Sequence, residues 1–162
     1  FSQIGIPYDD VDNEFLSIPH KWDTKDLSHF MQVMGITSSV FDCLSFIIFW
    51  YILGYNTIDS QAYFQTAWFV TCLITELMII INVRTAKRPF VESSPSKELL
   101  SLTLFSIFLT IVTPLIMHVV PSFNFVILPW YFYIYVVLLV ALYMILVKFI
   151  KKWYIKKYNE WL

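Results

Sequence analysis

Two acidic side chains, Asp42 and Glu76, lie inside long apolar stretches of the sequence. An ionisable group at the centre of a membrane helix costs about 2.5 to 3.5 kcal/mol on insertion scales, so it requires a partner or a function. Counted inward from Tyr55 and Phe64, the two carboxylates lie at a similar depth, roughly 18 to 20 Å. If they faced one another, they would share a proton or hold a cation between them.

Further polar side chains lie on the same face of the helix predicted around Glu76. At about 100° per residue, the following positions fall within an arc of about 120°: Gln61, Gln65, Cys72, Thr75, Glu76 and Asn82. Hard cations such as Mg²⁺ and Ca²⁺ select oxygen ligands, so one interpretation is an ion path with Glu76 as the candidate metal ligand. The alternative is an interhelical hydrogen-bond seam, in which Gln65, Thr75 and Asn82 are structural.

The other reactive residue types indicate structural roles. Asp42 shares its helix face with three serines that can hydrogen-bond it, which favours a structural role for this carboxylate: Ser38, Ser39 and Ser45. Cys43 and Cys72 lie inside apolar stretches and are predicted to be reduced packing residues. His118 is predicted to be an interface residue. No nucleophile and base constellation and no phosphate-binding loop occurs, so no catalytic or cofactor-binding residue is predicted in this chain.

Four apolar stretches of about 20 residues each must position these side chains, and that length lets an α-helix cross about 30 Å of hydrocarbon. They cover residues 36–55, 64–83, 99–120 and 128–149. The composition agrees, because 58% hydrophobic and 14% charged residues are far from the values of about 45 to 50% and 25% that are usual in soluble domains. Continuous apolar runs without alternation exclude a membrane β-barrel.

The Lys and Arg residues, eleven in all, lie in three segments that four membrane crossings would place on one side: Lys21 and Lys25; Arg84, Lys87, Arg88 and Lys97; Lys148, Lys151, Lys152, Lys156 and Lys157. Short loops rich in Lys and Arg remain cytoplasmic. The sequence therefore predicts an all-α polytopic membrane protein with four transmembrane helices in two antiparallel hairpins and both termini cytoplasmic. Residues 1–26 form a cytoplasmic lead-in, and residues 27–162 form the transmembrane domain with a cytoplasmic tail.

The connections and the tail carry their own signals. Ser94 followed by Pro95 is a capping pair that predicts the start of the third helix. The tail alternates basic and aromatic side chains, which predicts contact with lipid headgroups and a preference for anionic lipid, through Lys151, Lys152, Trp153, Lys156 and Lys157. The net charge of −1 gives no indication of nucleic acid binding. The start at Phe1, with no charged segment or cleavage site, predicts no signal peptide and a chain that is part of something longer.

The lead-in also resembles a known sequence pattern. Its motif is similar to the cytoplasmic loop after the sixth membrane helix of magnesium-transporting P-type ATPases, through Ser2-Gln3, Pro7, Asp9, Asp12, Glu14-Phe15-Leu16, Pro19, Lys21-Trp22-Asp23, Lys25 and Phe30-Met31. Matches continue in register through the chain, at Ser38-Ser39-Val40-Phe41-Asp42, Phe64-Gln65, Trp68-Phe69, Arg84-Thr85, Pro89-Phe90 and Pro129-Trp130. The resemblance implies the C-terminal part of such a pump, with membrane helices seven to ten, in a bacterial plasma membrane.

The same resemblance implies what must precede this chain in the parent protein: the DKTGT phosphorylation motif, the TGES loop, the nucleotide-binding domain and the helices that carry most cation ligands. Mg²⁺ and ATP are implied for the parent only, and the rest of the pump is the implied partner. Helix eight departs from the family pattern, because Thr71 replaces the usual Glu and Glu76 replaces the usual Gln. A carboxylate at the position of Glu76 resembles calcium pumps, which leaves a calcium-type pump as an alternative. A free-standing four-helix structural or regulatory protein is another alternative, and half of a secondary transporter is a weaker one.

Overall fold

The computed structural model describes residues 6–10, 24–87, 89–90 and 92–158. Four long helices dominate it: α1 (Thr24–Ile47), α2 (Gln61–Val83), α3 (Lys97–Met117) and α4 (Trp130–Tyr158). Short 3₁₀ turns occur at Ile6–Tyr8 and Pro121–Phe123. All four helices are long and apolar enough to cross a membrane. The predicted all-α architecture with four spans is confirmed, while most of the predicted lead-in, residues 1–26, lies outside the described residues.

The first helix is longer and less regular than the apolar stretch alone indicates. It begins at Thr24 and continues past Ile47 as a π-helical turn, Ile48–Ile52, in which the Leu53 amide donates to the Ile48 carbonyl at 3.0 Å. Gly54 then takes a positive φ of 72°, a conformation that side chains with a Cβ rarely adopt. The glycine therefore ends the helix and turns the chain toward α2.

The third helix starts at a different serine from the one predicted. Ser96 is the N-cap residue, with an extended backbone (ψ 157°), and its hydroxyl accepts a hydrogen bond from the Leu99 amide at 3.2 Å. Ser94 lies exposed in the connection, so the prediction that the Ser94 and Pro95 pair caps the helix is wrong. A second contact fixes the observed start, because the carboxylate of Asp9 accepts a hydrogen bond from the Ser96 amide at 2.8 Å.

The helices do not all pack against their neighbours in sequence. α2 has extensive contacts with both α3 and α4, and α1 packs mainly on α4. α1 reaches α2 chiefly through its π-helical turn. The core accordingly lies between α1, α2 and α4, with its largest fully buried side chains at Tyr143, Phe49, Phe132 and Val70. α3 lies at the edge of the bundle.

The two ends of the bundle differ in chemistry. The beginnings of α1 and α3 and the ends of α2 and α4 lie together, and we call this the basic end because the described Lys and Arg residues lie there. The opposite end holds an aromatic cluster that joins α1 to α2, with rings 5 to 6.5 Å apart: Phe46, Phe49, Trp50, Phe64 and Trp68. α4 extends to Tyr158, so most of the predicted tail is a helical continuation of the fourth span.

Candidate functional site

The two intramembrane carboxylates lie on different helices and are not hydrogen-bonded to each other. Asp42 is half-buried on α1, and Glu76 is exposed on α2. In the part of the chain that the structure describes, neither side chain makes a hydrogen bond or an ion pair. The two carboxylates therefore do not share a proton through a direct hydrogen bond. The reason is helix packing, because α1 packs along α4 and meets α2 chiefly at the aromatic end.

The serines near Asp42 form hydrogen bonds elsewhere. The Ser45 hydroxyl donates to the Phe41 carbonyl at 3.0 Å, and the Ser38 and Tyr143 hydroxyls lie 3.4 Å apart. Ser39 is exposed. Helical serines commonly satisfy a carbonyl four residues back, which removes the donor that Asp42 was expected to use. The local support predicted for Asp42 is therefore not seen among the described residues.

Glu76 lines a groove of about 540 Å³ between α2 and α3. Three hydroxyl side chains of α3 line the same groove: Ser106, Thr110 and Thr113. The rest of the lining is apolar, from residues such as Phe69, Leu73 and Leu109. These three hydroxyls are not among the residues predicted from the sequence, although their spacing of four and three residues is the signal for one helical face.

The hydroxyls in this groove can accept further contacts. Thr110 donates to the Ser106 carbonyl at 2.8 Å, and Thr113 donates to the Leu109 carbonyl at 2.7 Å. Each hydroxyl oxygen still has lone pairs that can accept. The Ser106 hydroxyl is buried and has no hydrogen-bond partner among the described residues. The groove therefore offers one carboxylate and three hydroxyl oxygens, a donor set suited to hard cations or to a hydrogen-bonding partner helix.

A complete metal centre is not present in the described part of the chain, where no group of three or more His, Cys, Asp or Glu side chains could hold an ion. Cys43 and Cys72 are free thiols; Cys43 is exposed and Cys72 is half-buried. His118 is exposed, with Nδ1 2.6 Å from the Leu115 carbonyl. A cation held by Glu76 would therefore need further ligands from outside these residues.

The rest of the polar stripe on α2 divides between a buried side and an open side. Thr75 is buried and its hydroxyl donates to the Thr71 and Cys72 carbonyls, at 3.0 and 2.9 Å. Asn82 is also buried, with its amide nitrogen 2.6 Å from the Met144 sulfur on α4. Gln61 and Gln65, like Glu76, are exposed. The stripe thus crosses the boundary between the packed core and the open face of α2.

Lys151 lies in a different place from its neighbours in the basic tail. Its side chain is only 6% exposed. The ammonium group donates to the backbone carbonyls of Asn82 and Lys87, each at 2.9 Å, and to that of Thr85. Lys151 therefore contacts protein rather than lipid headgroups, which corrects the prediction for this residue. The reason is helical spacing, because position 151 falls on the buried face that also carries Val147 and Tyr154.

The remaining predicted lipid-interface residues lie on the open face of α4, as contact with lipid headgroups requires. Lys152, Trp153, Lys156 and Lys157 are exposed. The Lys157 ammonium lies 4.8 Å from the centroid of the Trp153 ring, a cation–π arrangement. Their contact with lipid stays a prediction.

Known proteins are similar to this chain over nearly its whole length. Residues 1–153 match the family described as "Cation transporting ATPase, C-terminus". A "Magnesium-transporting ATPase, P-type 1" of Salmonella typhimurium (strain LT2) is 32% identical over 165 residues, covering 99% of this chain and 18% of the relative. The protein of the same description from Escherichia coli (strain K12) is 33% identical over 158 residues, covering 98% of this chain and 18% of the relative.

The chain thus spans about a fifth of the length of these relatives. The family match covers the lead-in, all of α1 to α3 and most of α4. Four helices of membrane-spanning length and this match lead to the same conclusion. The chain is an integral membrane protein segment that belongs to the cation transporting ATPase family, as its C-terminal region.

Proposed function

We propose that this chain is the C-terminal membrane domain of an ATP-driven Mg²⁺ transporter of the bacterial plasma membrane. The observation that carries the proposal is the family match over residues 1–153, together with bacterial relatives described as magnesium-transporting P-type ATPases. Three of the helices, α1, α2 and α4, pack around a continuous core, and α3 packs on α2, which provides a rigid support. In this proposal the domain braces the ion-translocating helices, which belong to the preceding part of the parent protein.

The preceding part of the parent supplies the chemistry of ATP hydrolysis. The sequence of this chain contains no phosphate-cradling loop and no phosphorylatable Asp in the required motif. The chain by itself is therefore expected neither to bind nor to hydrolyse ATP. Its partner is the rest of the pump, and Mg²⁺ is the transported substrate.

Within this role, Glu76 is proposed to contribute to the ion path. An exposed carboxylate in a membrane span is costly unless a cation, a proton or a donor compensates it. The groove beside Glu76 lies between α2 and α3 and contains the hydroxyls of Ser106, Thr110 and Thr113. The preceding membrane helices of the parent are proposed to cover this side. Their side chains or water would complete the octahedral coordination that Mg²⁺ prefers, since the groove supplies four oxygen-bearing side chains.

The intact parent protein tests the proposal. Purified and reconstituted protein should form an acid-stable phosphoenzyme from ATP, and its ATPase activity should depend on the transported cation. Expression should restore growth at low Mg²⁺ in a bacterial strain that lacks its own Mg²⁺ transporters. If the protein transports Ca²⁺ and not Mg²⁺, the parent is a calcium-type pump and the proposed substrate is wrong. If the intact protein forms no phosphoenzyme and transports no cation, the pump assignment is contradicted.

A further inference from the structure

The basic end of the bundle contains an unusual use of a lysine. Three carbonyls at the end of α2 and in the following residues converge on the Lys151 ammonium from α4, those of Asn82, Thr85 and Lys87. The last carbonyls of a helix have no partner within the helix, and they carry the negative end of its dipole. The Asn82 carbonyl lies in the last turn of α2, whereas the Thr85 and Lys87 carbonyls follow the helix. The buried ammonium therefore acts as a C-terminal cap supplied by another helix, and it also holds the residues that follow the cap.

A second set of polar contacts lies next to this cap. Arg84 is the residue directly after α2, and its guanidinium pairs with the Asp9 carboxylate at 2.5 Å. The guanidinium also donates to the Ser93 hydroxyl at 2.9 Å. The two side chains of the ion pair are only 7% exposed for Arg84 and 12% exposed for Asp9, so solvent screens their attraction little.

Asp9 extends these contacts to the third helix. One carboxylate oxygen accepts from Arg84, and the other accepts from the amide of Ser96, the N-cap residue of α3. The 3₁₀ turn at Ile6–Tyr8, which precedes Asp9, also contacts α3. Residues 6–10 are thus tied to the end of α2 and to the start of α3 by one side chain.

We propose that Lys151, Arg84 and Asp9 form one mechanical unit, the basic-end clasp, which makes residues 6–10, α2, α3 and α4 move as a single body. Lys151 holds the carbonyls on both sides of Arg84, because residues 82, 85 and 87 bracket position 84. This fixes the backbone from which Arg84 reaches Asp9. A displacement of residues 6–10 is therefore transmitted to α4, although Asp9 and Lys151 lie 142 positions apart in the chain (151 − 9).

The clasp assigns Lys151 a positioning role that lipid binding does not require. Removing the charge of Lys151 should loosen the backbone around Asp9, although the two side chains are not hydrogen-bonded to each other. Hydrogen exchange of backbone amides measures such local opening and does not depend on transport activity. The test is therefore independent of the proposed pump function.

The intact protein in lipid nanodiscs should be compared with the Lys151→Met variant, which keeps the length of the side chain and removes the ammonium. We expect amide exchange to accelerate by about tenfold or more in residues 84–87, because their carbonyls lose a buried cation. The distinguishing result is a similar acceleration in residues 6–10 and at Ser96. Lys152→Met is the matched control, since Lys152 is the exposed neighbour of Lys151 on α4 and should leave all three segments unchanged.

The reciprocal variant, Asp9→Asn, tests the clasp from the lead-in and keeps the test usable if Lys151→Met does not fold. It should accelerate exchange at Ser96 and also in residues 84–87. Acceleration that remains confined to residues 84–87 in Lys151→Met, or to residues 6–10 and Ser96 in Asp9→Asn, would overturn the clasp and leave two separate local contacts. Equal exchange in Lys151→Met, Lys152→Met and the unmodified protein would overturn the capping role as well.

Discussion

At the scale of single residues, the environment of a carboxylate distinguishes Glu76 from Asp42. Glu76 is exposed on α2 beside the α3 hydroxyls, whereas Asp42 is half-buried on α1 and does not line that groove. Both are costly in a membrane, and each needs compensation. Glu76 shares its groove with three hydroxyl side chains of α3, which is why the ion-path proposal rests on this residue.

The Glu76→Gln substitution keeps the shape of the side chain and removes its charge. We expect the intact pump to need about tenfold more Mg²⁺ for half-maximal ATPase activity, equivalent to about 1.4 kcal/mol of lost binding. The pH profile of activity should also change, because a titratable group is removed. Cation-dependent ATPase assays across pH measure both effects.

Asp42→Asn is the comparison for this prediction. It should lower yield or thermal stability and leave the cation dependence of well-folded protein unchanged. If Glu76→Gln and Glu76→Ala pumps are both well folded and retain the original affinity, rate and pH profile, the ion-path role is wrong. The polar groove would then be a hydrogen-bond seam between helices.

Ser94 and Ser96, which precede α3, provide a second prediction for single residues. Ser96→Ala removes the hydroxyl that caps α3 and should destabilise the start of this helix by about 1 kcal/mol. Amide exchange at Leu99, whose N–H donates to this hydroxyl, should therefore accelerate about fivefold. Ser94→Ala is the matched control and should change local stability by less than about 0.5 kcal/mol, because Ser94 is exposed. Equal effects of the two substitutions would contradict the assigned cap.

At the scale of the helix, the end of α4 presents two different faces. Val147, Lys151 and Tyr154 are buried against the rest of the bundle. Lys152, Lys156 and Lys157 are exposed on the other side. A single basic segment therefore serves protein packing on one face, and we expect it to serve contact with lipid headgroups on the other.

A triple variant in which Lys152, Lys156 and Lys157 are each substituted by Gln should associate more weakly with anionic lipid, by up to about 1 kcal/mol for each lysine. Spin-labelled anionic lipid in reconstituted vesicles measures the relative association constant. A zwitterionic lipid probe serves as the control and should be unaffected. Association that is equally strong for both lipids in the unmodified protein would show that the exposed lysines have no lipid preference.

At the scale of the whole molecule, the side of the membrane that faces the basic end is a prediction from charge. The described Lys and Arg residues all lie at that end, and short basic connections remain cytoplasmic. Single cysteines placed at Ser94, Asn56 and Asn124 test the orientation, after both native free thiols are replaced with alanine.

An impermeant thiol reagent applied from outside the cell should label Asn56→Cys and Asn124→Cys and should not label Ser94→Cys. Labelling after the cells are opened is the control for reactivity at Ser94→Cys. External labelling of Ser94→Cys in sealed cells would reverse the orientation and place both ends of the chain outside the cytoplasm.

Much of the fold could be predicted from local sequence. The number of spans follows from four apolar stretches, because the length needed to cross a membrane depends on each segment alone. The start of α3 was misplaced by two residues, from Ser94 to Ser96, since a contact with the distant Asp9 holds the observed start. The π-helical turn at Ile48–Ile52 was also missed, since its apolar residues carry no signal that separates it from an α-helix.

The candidate site was only partly predictable, because it depends on contacts between residues that are distant in the sequence. Helical spacing in the sequence predicts that Glu76 lies at mid-depth on a polar stripe, and the tail is basic by composition. Three features are visible only in the folded chain: α3 lines the Glu76 groove, α1 packs on α4, and Lys151 caps α2. Helical periodicity gives the faces of one helix, but the neighbour of each face depends on how all four helices pack together.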